Sequence, residues 1–437
     1  MSTTAAVRLW GKVIGAVFQP DDSGTAIFEY EPAFVGSGIE VSPIEMPLQA
    51  GTFSFPELSH QSFRGLPGLL ADSLPDRFGN ALIDAWVGAQ GRRPENFNAV
   101  ERLCYVGKRG MGALEYEPTI GPRQTKGREL DVAALVELAS EVLTQREEFE
   151  ASLATDRSSR AVRDILAVGT SAGGARAKAV IAYNPATGAV RSGQVDAAPG
   201  FEYWVLKFDG VSGNKDKELE DPKGYCAIEY AYSLMSLAAG VWMTECRLLE
   251  EGGRRHFMTR RFDRLDDGRK LHMQSLGALA HLDYNMPGAH SYEEAFLVMR
   301  QLGLSSDARE QMFRRSAFNV VARNQDDHVK NIAFLMQPDG RWSLAPAYDL
   351  TYSFNPQGSW TRRHQMSING KTDGFEFADF EQLARTASMK RGRAAEIFQE
   401  VVASVARWPE FAAAVGIASE PAAQIGQDHR LFLAPDA

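Results

Sequence analysis

"RNQDDHVKNIAFL", residues 323–335, places four polar side chains immediately before an apolar run that predicts a buried β-strand. The four are Asp326, Asp327, His328 and Asn331. Two carboxylates, an imidazole and an amide are more than a simple turn between a helix and a strand requires. Carboxylate and amide oxygens are ligands that Mg²⁺ accepts, usually together with waters and phosphates. The stretch therefore indicates a functional site with charged and metal-binding side chains at the start of a strand.

The spacing inside this stretch matches a phosphotransferase loop. In protein-kinase-like sites, the aspartate that accepts the hydroxyl proton and the asparagine that binds Mg²⁺ follow the order D-x-x-x-x-N. Asp326 and Asn331 have this offset, whereas Asp327 misses it by one residue. We therefore assign the base to Asp326 and expect Asp327 to point away from the cleft or to brace the loop.

In such sites an aspartate that binds Mg²⁺ together with the asparagine should follow later in the chain, after a β-hairpin. Residues 331–346 read NIAFLMQ, a PDG turn and RWSLAP, which predicts such a hairpin. The sequence LAPAYDLTYS then supplies Asp349 just beyond it. Asp349 is therefore the candidate second ligand for Mg²⁺, beside Asn331.

Groups that suit nucleotide phosphates lie earlier in the chain. The glycine-rich stretch TSAGGARAK, residues 170–178, offers backbone N–H groups with little steric cover, as a phosphate cradle needs. Lys207 is a cation inside the apolar strand EYWVLKFD, where it requires a partner or a phosphate. Glu229, in the helix predicted next, is placed to be that partner, as in the strand-lysine to helix-glutamate pair of kinases.

Each of these features also has an ordinary structural explanation. A D-x-x-x-x-N match is common, and a cap or turn accounts for most of them. His328 alone is more often a loop histidine than a ligand, and Lys207 could extend its amine out of a half-buried strand. The phosphotransferase interpretation depends on the order of the set: glycine-rich loop, strand lysine, helix glutamate, D-x-x-x-x-N, hairpin and aspartate.

Bulk composition excludes several other classes. The 437 residues include 44% hydrophobic and 24% charged side chains, which is typical of a folded protein with two or three units. The net charge of −9 does not favour nucleic acid as the default partner. Three widely spaced cysteines without a C-x-x-C pair do not indicate a zinc ribbon or a disulfide framework. No long apolar segment indicates a membrane span, so we expect a cytoplasmic protein with no membrane partner.

The order of elements predicts an α+β protein with three parts. Residues 1–118 combine a β-hairpin, apolar positions at helical spacing and another short strand pair (ERLCYVGKRGMGALEYEP) into a small N-terminal domain. Residues 119–258 form a linker helix and a strand-rich lobe that carries the glycine-rich loop. Residues 259–437 form a hinge and a helical lobe that carries the D-x-x-x-x-N loop. We therefore expect a two-lobed protein-kinase-like fold behind an N-terminal α+β domain.

These motifs together resemble the HipA family of bacterial serine/threonine kinases, the toxins of type II toxin–antitoxin modules. The N-terminal part resembles that family through three stretches, and the rest of the chain through five that fall in family order. They are MPLQAGTFSFPE, GLLADSLPDRFGNALI and GKRGMGALEYEP, followed by SAGGARAK, WVLKFDG, RRFDR, RNQDDHVKN and LAPAYDL. The resemblance covers nearly the whole chain, and as a set the motifs are specific.

The resemblance implies a role for each matching residue. Asp326 is the catalytic base, Asn331 and Asp349 hold Mg²⁺, and Glu229 forms the structural ion pair with Lys207. The strand from Arg260 to Phe262 passes the adenine as a hinge, and Ser171 is the autophosphorylated serine of the glycine-rich loop. The residues implied to bind ATP are Gly173, Gly174, Ala175, Arg176, Ala177, Lys178, Lys207, Arg260, Phe262, His328, Lys330, Asn331, Tyr348 and Asp349.

The resemblance also implies cofactors and partners. ATP and Mg²⁺ are expected, with transfer of the γ-phosphate to a serine of a protein substrate, a class that includes aminoacyl-tRNA synthetases. A small helix-turn-helix antitoxin is the expected partner, and operator DNA is reached only through the complex with it. The sequence departs from the family pattern at Arg176, where relatives carry glutamine, and at Gln325, where they carry threonine.

Two other functions compete with a protein kinase toxin. A kinase of small molecules such as aminoglycosides or sugars uses the same base and asparagine. An inactive kinase fold could serve as a binding module. The added N-terminal domain and the glycine-rich loop favour the protein kinase over the first alternative. The presence of Lys207, Asp326, Asn331 and Asp349 together favours it over the second.

Overall fold

A computed structural model describes residues 3–21, 23–122, 129–144, 160–169, 176–194, 197–211, 215–216, 219–220 and 224–433. The chain divides into two compact units. The first consists of Met1–Lys223, Leu249–Gln274 and Met336–Arg341, and the second of Gly224–Leu248, Ser275–Leu335 and Trp342–Ala437. Within the described ranges, no helix has both the length and the apolar character needed to cross a bilayer.

The strands follow one another in chain order as β1 to β17. They are β1 Thr3–Leu9, β2 Lys12–Gln19, β3 Ile27–Tyr30, β4 Thr52–Phe53, β5 Leu114–Glu117, β6 Lys178–Tyr183, β7 Val190–Ser192, β8 Glu202–Lys207, β9 Lys215–Asp216, β10 Leu219–Glu220, β11 Cys246–Glu251, β12 Arg254–Arg260, β13 His272–Ser275, β14 His290–Ser291, β15 Ala333–Met336, β16 Trp342–Leu344 and β17 Met366–Ser367.

The α-helices of the described residues are numbered in the same way. They are α1 Pro32–Val35, α2 His60–Phe63, α3 Gly68–Ala71, α4 Arg77–Gly88, α5 Ala99–Val106, α6 Val132–Thr144, α7 Arg160–Val168, α8 Tyr225–Ala238, α9 Leu276–Leu279, α10 Tyr292–Gln301, α11 Ser306–Val321, α12 Phe377–Thr386, α13 Arg393–Ala406, α14 Trp408–Val415 and α15 Ser419–Asp428. Short 3₁₀ turns occur at Pro94–Asn96, Val329–Asn331 and Leu431–Leu433.

The first unit contains two five-stranded sheets. One has the order β4-β3-β2-β1-β5, with every neighbouring pair antiparallel. The other has the order β11-β12-β8-β6-β7, and its β12-β8, β8-β6 and β6-β7 pairs are antiparallel. The chain is therefore an α+β protein with several antiparallel sheets, as the sequence predicts.

The N-terminal sheet differs from the predicted single hairpin. Trp10 and Gly11, with φ of 48° and 79°, form a tight turn that divides the apolar run into β1 and β2. Two consecutive positive φ values are the geometry that two-residue hairpins favour. The predicted strand pair after residue 98 is also wrong in its first half. Asn98 and Glu101 form a capping box that begins helix α5 there.

One hydrophobic core joins the N-terminal residues to the strand-rich part of the first unit. Phe78 and Leu82 of α4 pack in the same buried cluster as Leu135 of α6, Ile165 of α7 and Trp204 of β8. The first unit therefore combines the predicted N-terminal domain with the predicted second domain as far as Lys223. Helix α8, predicted in the strand-rich lobe, belongs to the second unit.

The second unit is mainly helical and positions the D-x-x-x-x-N stretch. Helix α11 begins at the Ser305 cap, whose side chain accepts the Ala308 N–H, and ends at Val321, two residues before the stretch. The stretch then leads into β15, whose burial is complete. Strands β15 and β16 form the predicted hairpin, closed by a hydrogen bond from the Ala345 N–H to the Ala333 carbonyl at 3.0 Å.

Candidate active site

The loop between α11 and β15 is closed by its own asparagine. The Asn331 Nδ2 donates to the backbone carbonyl of Asp326 at 2.9 Å, across the 3₁₀ turn Val329–Asn331. Because the amide nitrogen is directed at this carbonyl, the amide oxygen Oδ1 faces the opposite way. The five-residue offset read in the sequence thus has a structural basis, since it lets the asparagine fold back onto the aspartate's main chain.

Asp326 is the partly accessible carboxylate of the loop, with 19% of its side chain exposed. Its Oδ1 accepts a hydrogen bond from the indole Nε1 of Trp360 at 2.6 Å and lies 3.9 Å from the His328 Nε2. A donor at this short distance fixes the orientation of the carboxylate. Asp326 is therefore held in place while retaining contact with solvent.

Asp327 has the opposite environment, with only 2% of the residue exposed. Its Oδ2 accepts from the Tyr292 hydroxyl and the His364 Nδ1, each at 2.9 Å, and its Oδ1 accepts from the Gln365 N–H at 2.8 Å. Burial, together with the Asp327 charge, raises the pKa of Tyr292 well above its usual range. The contacts confirm that Asp327 braces the loop.

Main-chain contacts bring the segment around Asp349 to the same loop. The Tyr348 hydroxyl donates to the Lys330 carbonyl at 2.6 Å. The Gln325 N–H donates to the Ser353 carbonyl at 3.0 Å, in a parallel bridge between the segments. Asp349 itself has φ of 53°, a left-handed conformation that few non-glycine residues adopt. Such backbone strain is common where a side chain must be aimed at a site.

Lys330 and His328 share one aromatic neighbour. The Lys330 ammonium lies 4.8 Å from the centroid of the Tyr284 ring, within cation–π range, and the Tyr284 and His328 ring centroids are 5.8 Å apart. This contact holds a cation beside the loop. A cation in this position suits a phosphate-bearing ligand.

The Asn331 and Asp349 oxygens fit Mg²⁺ better than a softer metal. The described residues contain no cluster of three or more His, Cys, Asp or Glu side chains able to hold a metal ion. Mg²⁺ needs no such cluster, because it is commonly bound by one or two protein oxygens together with phosphates and waters. The turned amide of Asn331 and the strained position of Asp349 are consistent with that donor set.

A small cavity of about 20 Å³ adjoins the loop. Its walls include Asn319, Asn324, Asp327 and Arg315. Burial lowers the pKa of Arg315 to about 10, and its guanidinium donates to the Ala345 carbonyl at 2.6 Å. The space is sufficient for one water molecule rather than for a substrate.

Two buried lysines face each other in the second sheet of the first unit. Lys178 of β6 and Lys207 of β8 are directly opposite in the antiparallel register, so their side chains lie on one face. Only 3% of Lys178 and 7% of Lys207 are exposed. Phe257 of β12 continues the row, with its ring centroid 5.7 Å from the Lys207 ammonium. Lys178 also forms an ion pair at 3.6 Å with Asp76.

The remaining predicted phosphate-binding residues are only partly described. Arg176 and Ala177 are buried, and the Ala177 carbonyl accepts the Phe208 N–H at 3.1 Å. Ser171, Gly173, Gly174 and Ala175 lie outside the described residues. Their roles stay predictions. Glu229 is a buried residue of α8 in the second unit, and its pairing with Lys207 also stays a prediction.

The predicted hinge strand is shorter than expected. Strand β12 ends at Arg260, so Phe262 lies beyond the strand rather than within it. Arg260 forms ion pairs with Asp266 at 2.6 Å and Glu202 at 3.7 Å. The next residue, Arg261, forms a buried ion pair with Asp263 at 2.6 Å.

Sequence reasoning missed the residues that hold the two loop carboxylates. Trp360, His364 and Gln365 lie 34 to 38 positions from their partners, and Tyr292 lies 35 positions before Asp327. Only the density of polar and aromatic residues in SWTRRHQ, after Asp349, sets this segment apart from an ordinary loop.

Comparison with known proteins places the chain in a family. The HipA-like C-terminal domain matches residues 170–408, and the HipA N-terminal domain matches residues 5–117. No curated protein sequence matches. HipA of the Shewanella oneidensis MR-1 toxin–antitoxin system, solved with HipB and its operator DNA, is 16% identical with a TM-score of 0.67, over 97% of this chain and 94% of that one.

A second solved structure is more distant. The Helicobacter pylori proinflammatory kinase CtkA is 10% identical with a TM-score of 0.38, over 60% of this chain and 91% of that one. The likeness to the Shewanella protein shows a shared fold, and the match over residues 170–408 covers more than half of the 437 residues. The chain therefore belongs to the HipA family.

Proposed function

We propose that this protein is an ATP- and Mg²⁺-dependent protein serine/threonine kinase that acts as the growth-inhibiting toxin of a toxin–antitoxin pair. The observation that carries the proposal is the loop from Asp326 to Asn331. It presents one oriented, partly accessible carboxylate and one turned amide, and it holds the neighbouring Asp327 buried. Family membership and the D-x-x-x-x-N order support the same activity.

In the proposed reaction, a serine hydroxyl oxygen of the substrate attacks the γ-phosphorus of ATP. The bond between that phosphorus and the β,γ-bridging oxygen breaks, ADP leaves, and the hydroxyl proton passes to Asp326. Phosphoryl transfer depends mainly on positioning and charge stabilisation. Asp326 therefore needs to be well oriented more than strongly basic, and its short hydrogen bond supports that role.

Charge neutralisation is assigned to the lysines and the metal-binding oxygens. Lys178 and Lys207 are buried at paired strand positions of one sheet, and their family motifs support a role in phosphate binding. Asn331 and Asp349 would hold Mg²⁺, which supplies charge neutralisation at the phosphate oxygens. By the family resemblance, Lys330 and His328 would lie beside the nucleotide phosphates.

The finer parts of the proposal rest on the family resemblance. Ser171 is the proposed site of autophosphorylation, with Arg176 as a partner for the new charge. Arg260 and Phe262 would contact the adenine, and Tyr348 would support the nucleotide site. The substrate is a protein serine, with aminoacyl-tRNA synthetases as the implied class.

The proposed biological setting is a toxin–antitoxin pair in the cytoplasm. A small helix-turn-helix antitoxin would neutralise the protein, and operator DNA would be bound only through that complex. The Shewanella relative was solved with HipB and its operator DNA, which supports this assignment.

The kinase proposal is tested with labelled ATP, Mg²⁺ and a bacterial lysate. Asp326→Asn should reduce label transfer to protein by about 100-fold or more, because general-base catalysis contributes on that order. Its ATP affinity, measured by thermal shift, should be unchanged because the base is not a phosphate ligand. Asp349→Asn should instead weaken the shift that Mg-ATP produces.

Asp339→Asn is the matched control. Asp339 lies in the β15–β16 turn with 49% of its side chain exposed, so its variant should transfer phosphate like the wild type. An Asp326→Asn protein as active as this control would contradict the proposal. Label that appears only on small molecules would favour a small-molecule kinase instead.

A further inference from the structure

The segment Trp360–Gln365 contacts both carboxylates of the D-D pair. Its first residue donates to Asp326 and its last two to Asp327. We call this segment the carboxylate strap. Neither the D-x-x-x-x-N pattern nor the family matches give it a role.

The distal end of the carboxylate strap is fixed in the protein interior. His364 and Gln365 are 1% and 3% exposed. The His364 Nε2 lies 3.1 Å from the Arg430 guanidinium. A guanidinium can only donate, so Nε2 accepts and the ring proton is on Nδ1, where it is given to Asp327. This end of the strap is therefore locked in one tautomer and one position.

The fixed end also holds Trp360. The Gln365 side-chain amide donates to the Trp360 carbonyl, while the Gln365 main-chain N–H donates to Asp327. The indole of Trp360 then donates to Asp326 Oδ1 at 2.6 Å. A continuous series of hydrogen bonds thus runs from the buried carboxylate to the accessible one.

From this geometry we propose that Trp360 is a positioning residue for the base, which transmits the rigid placement of Asp327 to the carboxylate of Asp326. The inference rests on the proposed kinase function. Its physical basis is that a base bonded through one oxygen to a fixed donor cannot rotate away from the reacting hydroxyl. Misplacement of a reacting group by about 1 Å can cost about 100-fold in rate.

The test is a comparison of kinetic constants. Trp360→Phe keeps the ring packing and removes the N–H donor. The expected result is a fall in kcat of about 10- to 100-fold with the KM for ATP and the thermal midpoint unchanged. In an Asp326→Asn background, the same change should cause no further loss, because both residues act through one carboxylate.

Trp242→Phe is the control for removing an indole N–H, since Trp242 is 48% exposed in the same unit. It should leave kcat unchanged. If Trp360→Phe lowers the thermal midpoint, Gln365→Met provides the second measurement. It removes the donor that holds the Trp360 carbonyl, and it should lower kcat with no change in the KM for ATP.

The outcomes separate this inference from the kinase proposal. A wild-type protein that transfers no phosphate overturns the proposed function and the role of Trp360 in it. An active wild type whose Trp360→Phe and Gln365→Met variants keep full kcat overturns only the positioning role. A rise in kcat in Trp360→Phe also overturns it, because the indole would then be obstructing the base.

Discussion

Asp263 is a fully buried carboxylate that accepts hydrogen bonds from two arginines and one backbone N–H. Both of its oxygens accept from Arg261, at 2.9 and 2.6 Å, and Arg264 donates to Oδ2 at 2.6 Å. The Gly112 N–H adds a bond at 2.7 Å from the N-terminal residues of the same unit. The two arginines outweigh burial and hold the pKa of Asp263 well below its usual range.

Removing this charge should destabilise the protein strongly. In Asp263→Asn, two buried guanidinium groups lose their counter-ion, and breaking a buried pair in this way costs about 3 to 5 kcal/mol. The free energy of unfolding, measured by urea titration at pH 7, should fall by about that amount. The exposed Asp267→Asn is the control and should leave the midpoint unchanged.

The same carboxylate should make stability depend on pH in the acid range. The folded pKa is depressed, so the contribution of Asp263 is complete above its unfolded pKa of about 4 and is lost as the pH falls below that value. Asp263→Asn should therefore lose less stability than the wild type between pH 5 and about pH 2. Parallel slopes for the two proteins would contradict this role.

Local spacing accounts for the residues of the site that could be predicted. Asp326 and Asn331 are five positions apart, and their contact lies within one turn of chain. Trp360 and Arg430 could not be found in this way. Trp360 contacts Asp326 from 34 positions away, Arg430 contacts His364 from 66 positions away, and no periodicity encodes such contacts. The fixed orientation of the Asp326 carboxylate is therefore a tertiary property.

Among the elements, those with both an apolar run and a turn signal were predicted well. The β15–β16 hairpin has the PDG turn at its centre and formed as expected. The predicted linker helix is α6, Val132–Thr144. Helix α5 was missed because its composition favours a strand. The capping box that Asn98 and Glu101 form begins a helix there and outweighs that composition.

The end of α15 and the two residues after it contact the chain just before the Asp326–Asn331 loop. The Arg323 Nε donates to the Asp428 carbonyl at 2.7 Å, and the Arg430 N–H donates to the Val321 carbonyl at 2.9 Å. His429 packs between them, 3.0 Å from the Tyr232 hydroxyl. Burial, reinforced by the charge of Arg323, lowers the pKa of His429 to about 4, so the imidazole is neutral at pH 7.

A chain that ends at Gln427 should therefore be less stable than the full chain. It loses at least three hydrogen bonds, each worth about 1 kcal/mol, and it exposes the groups that made them. We expect the free energy of unfolding to fall by about 3 kcal/mol or more in urea titration. A chain ending at Leu433 keeps the whole contact and is the control. Equal midpoints for the two shortened chains would show that these contacts contribute nothing.

At the scale of the whole molecule, the three predicted domains stay a prediction, and the chain divides into two compact units. The predicted boundary near residue 118 precedes the Pro/Gly-rich segment PTIGPRQTKGREL, residues 118–130, which has the composition of a linker. Such a linker shows where the chain is exposed, but it does not show which apolar faces later pack together. Helix α4 comes before the linker, yet its apolar face contacts helices and strands that come after it.

This shared core leads to a prediction for a chain that begins at residue 119. Phe78, Leu82 and Ala85 are all fully buried in the cluster that also includes α6, α7 and β8. Their removal would expose the apolar sides of those elements, and an exposed patch of that kind promotes aggregation. The shortened chain should therefore be insoluble or lack a cooperative thermal transition, as judged by size-exclusion chromatography and calorimetry.

Point variants in the full-length chain test the same packing without removing a domain. Leu82→Ala should cost about 2 to 5 kcal/mol of unfolding free energy, because it leaves a cavity in a core that cannot collapse freely. Phe18→Ala, at a residue 38% exposed on β2, should cost much less. A soluble chain from residue 119 that melts cooperatively at the full-length temperature would contradict the shared core. It would instead support an independent N-terminal domain, as predicted for residues 1–118.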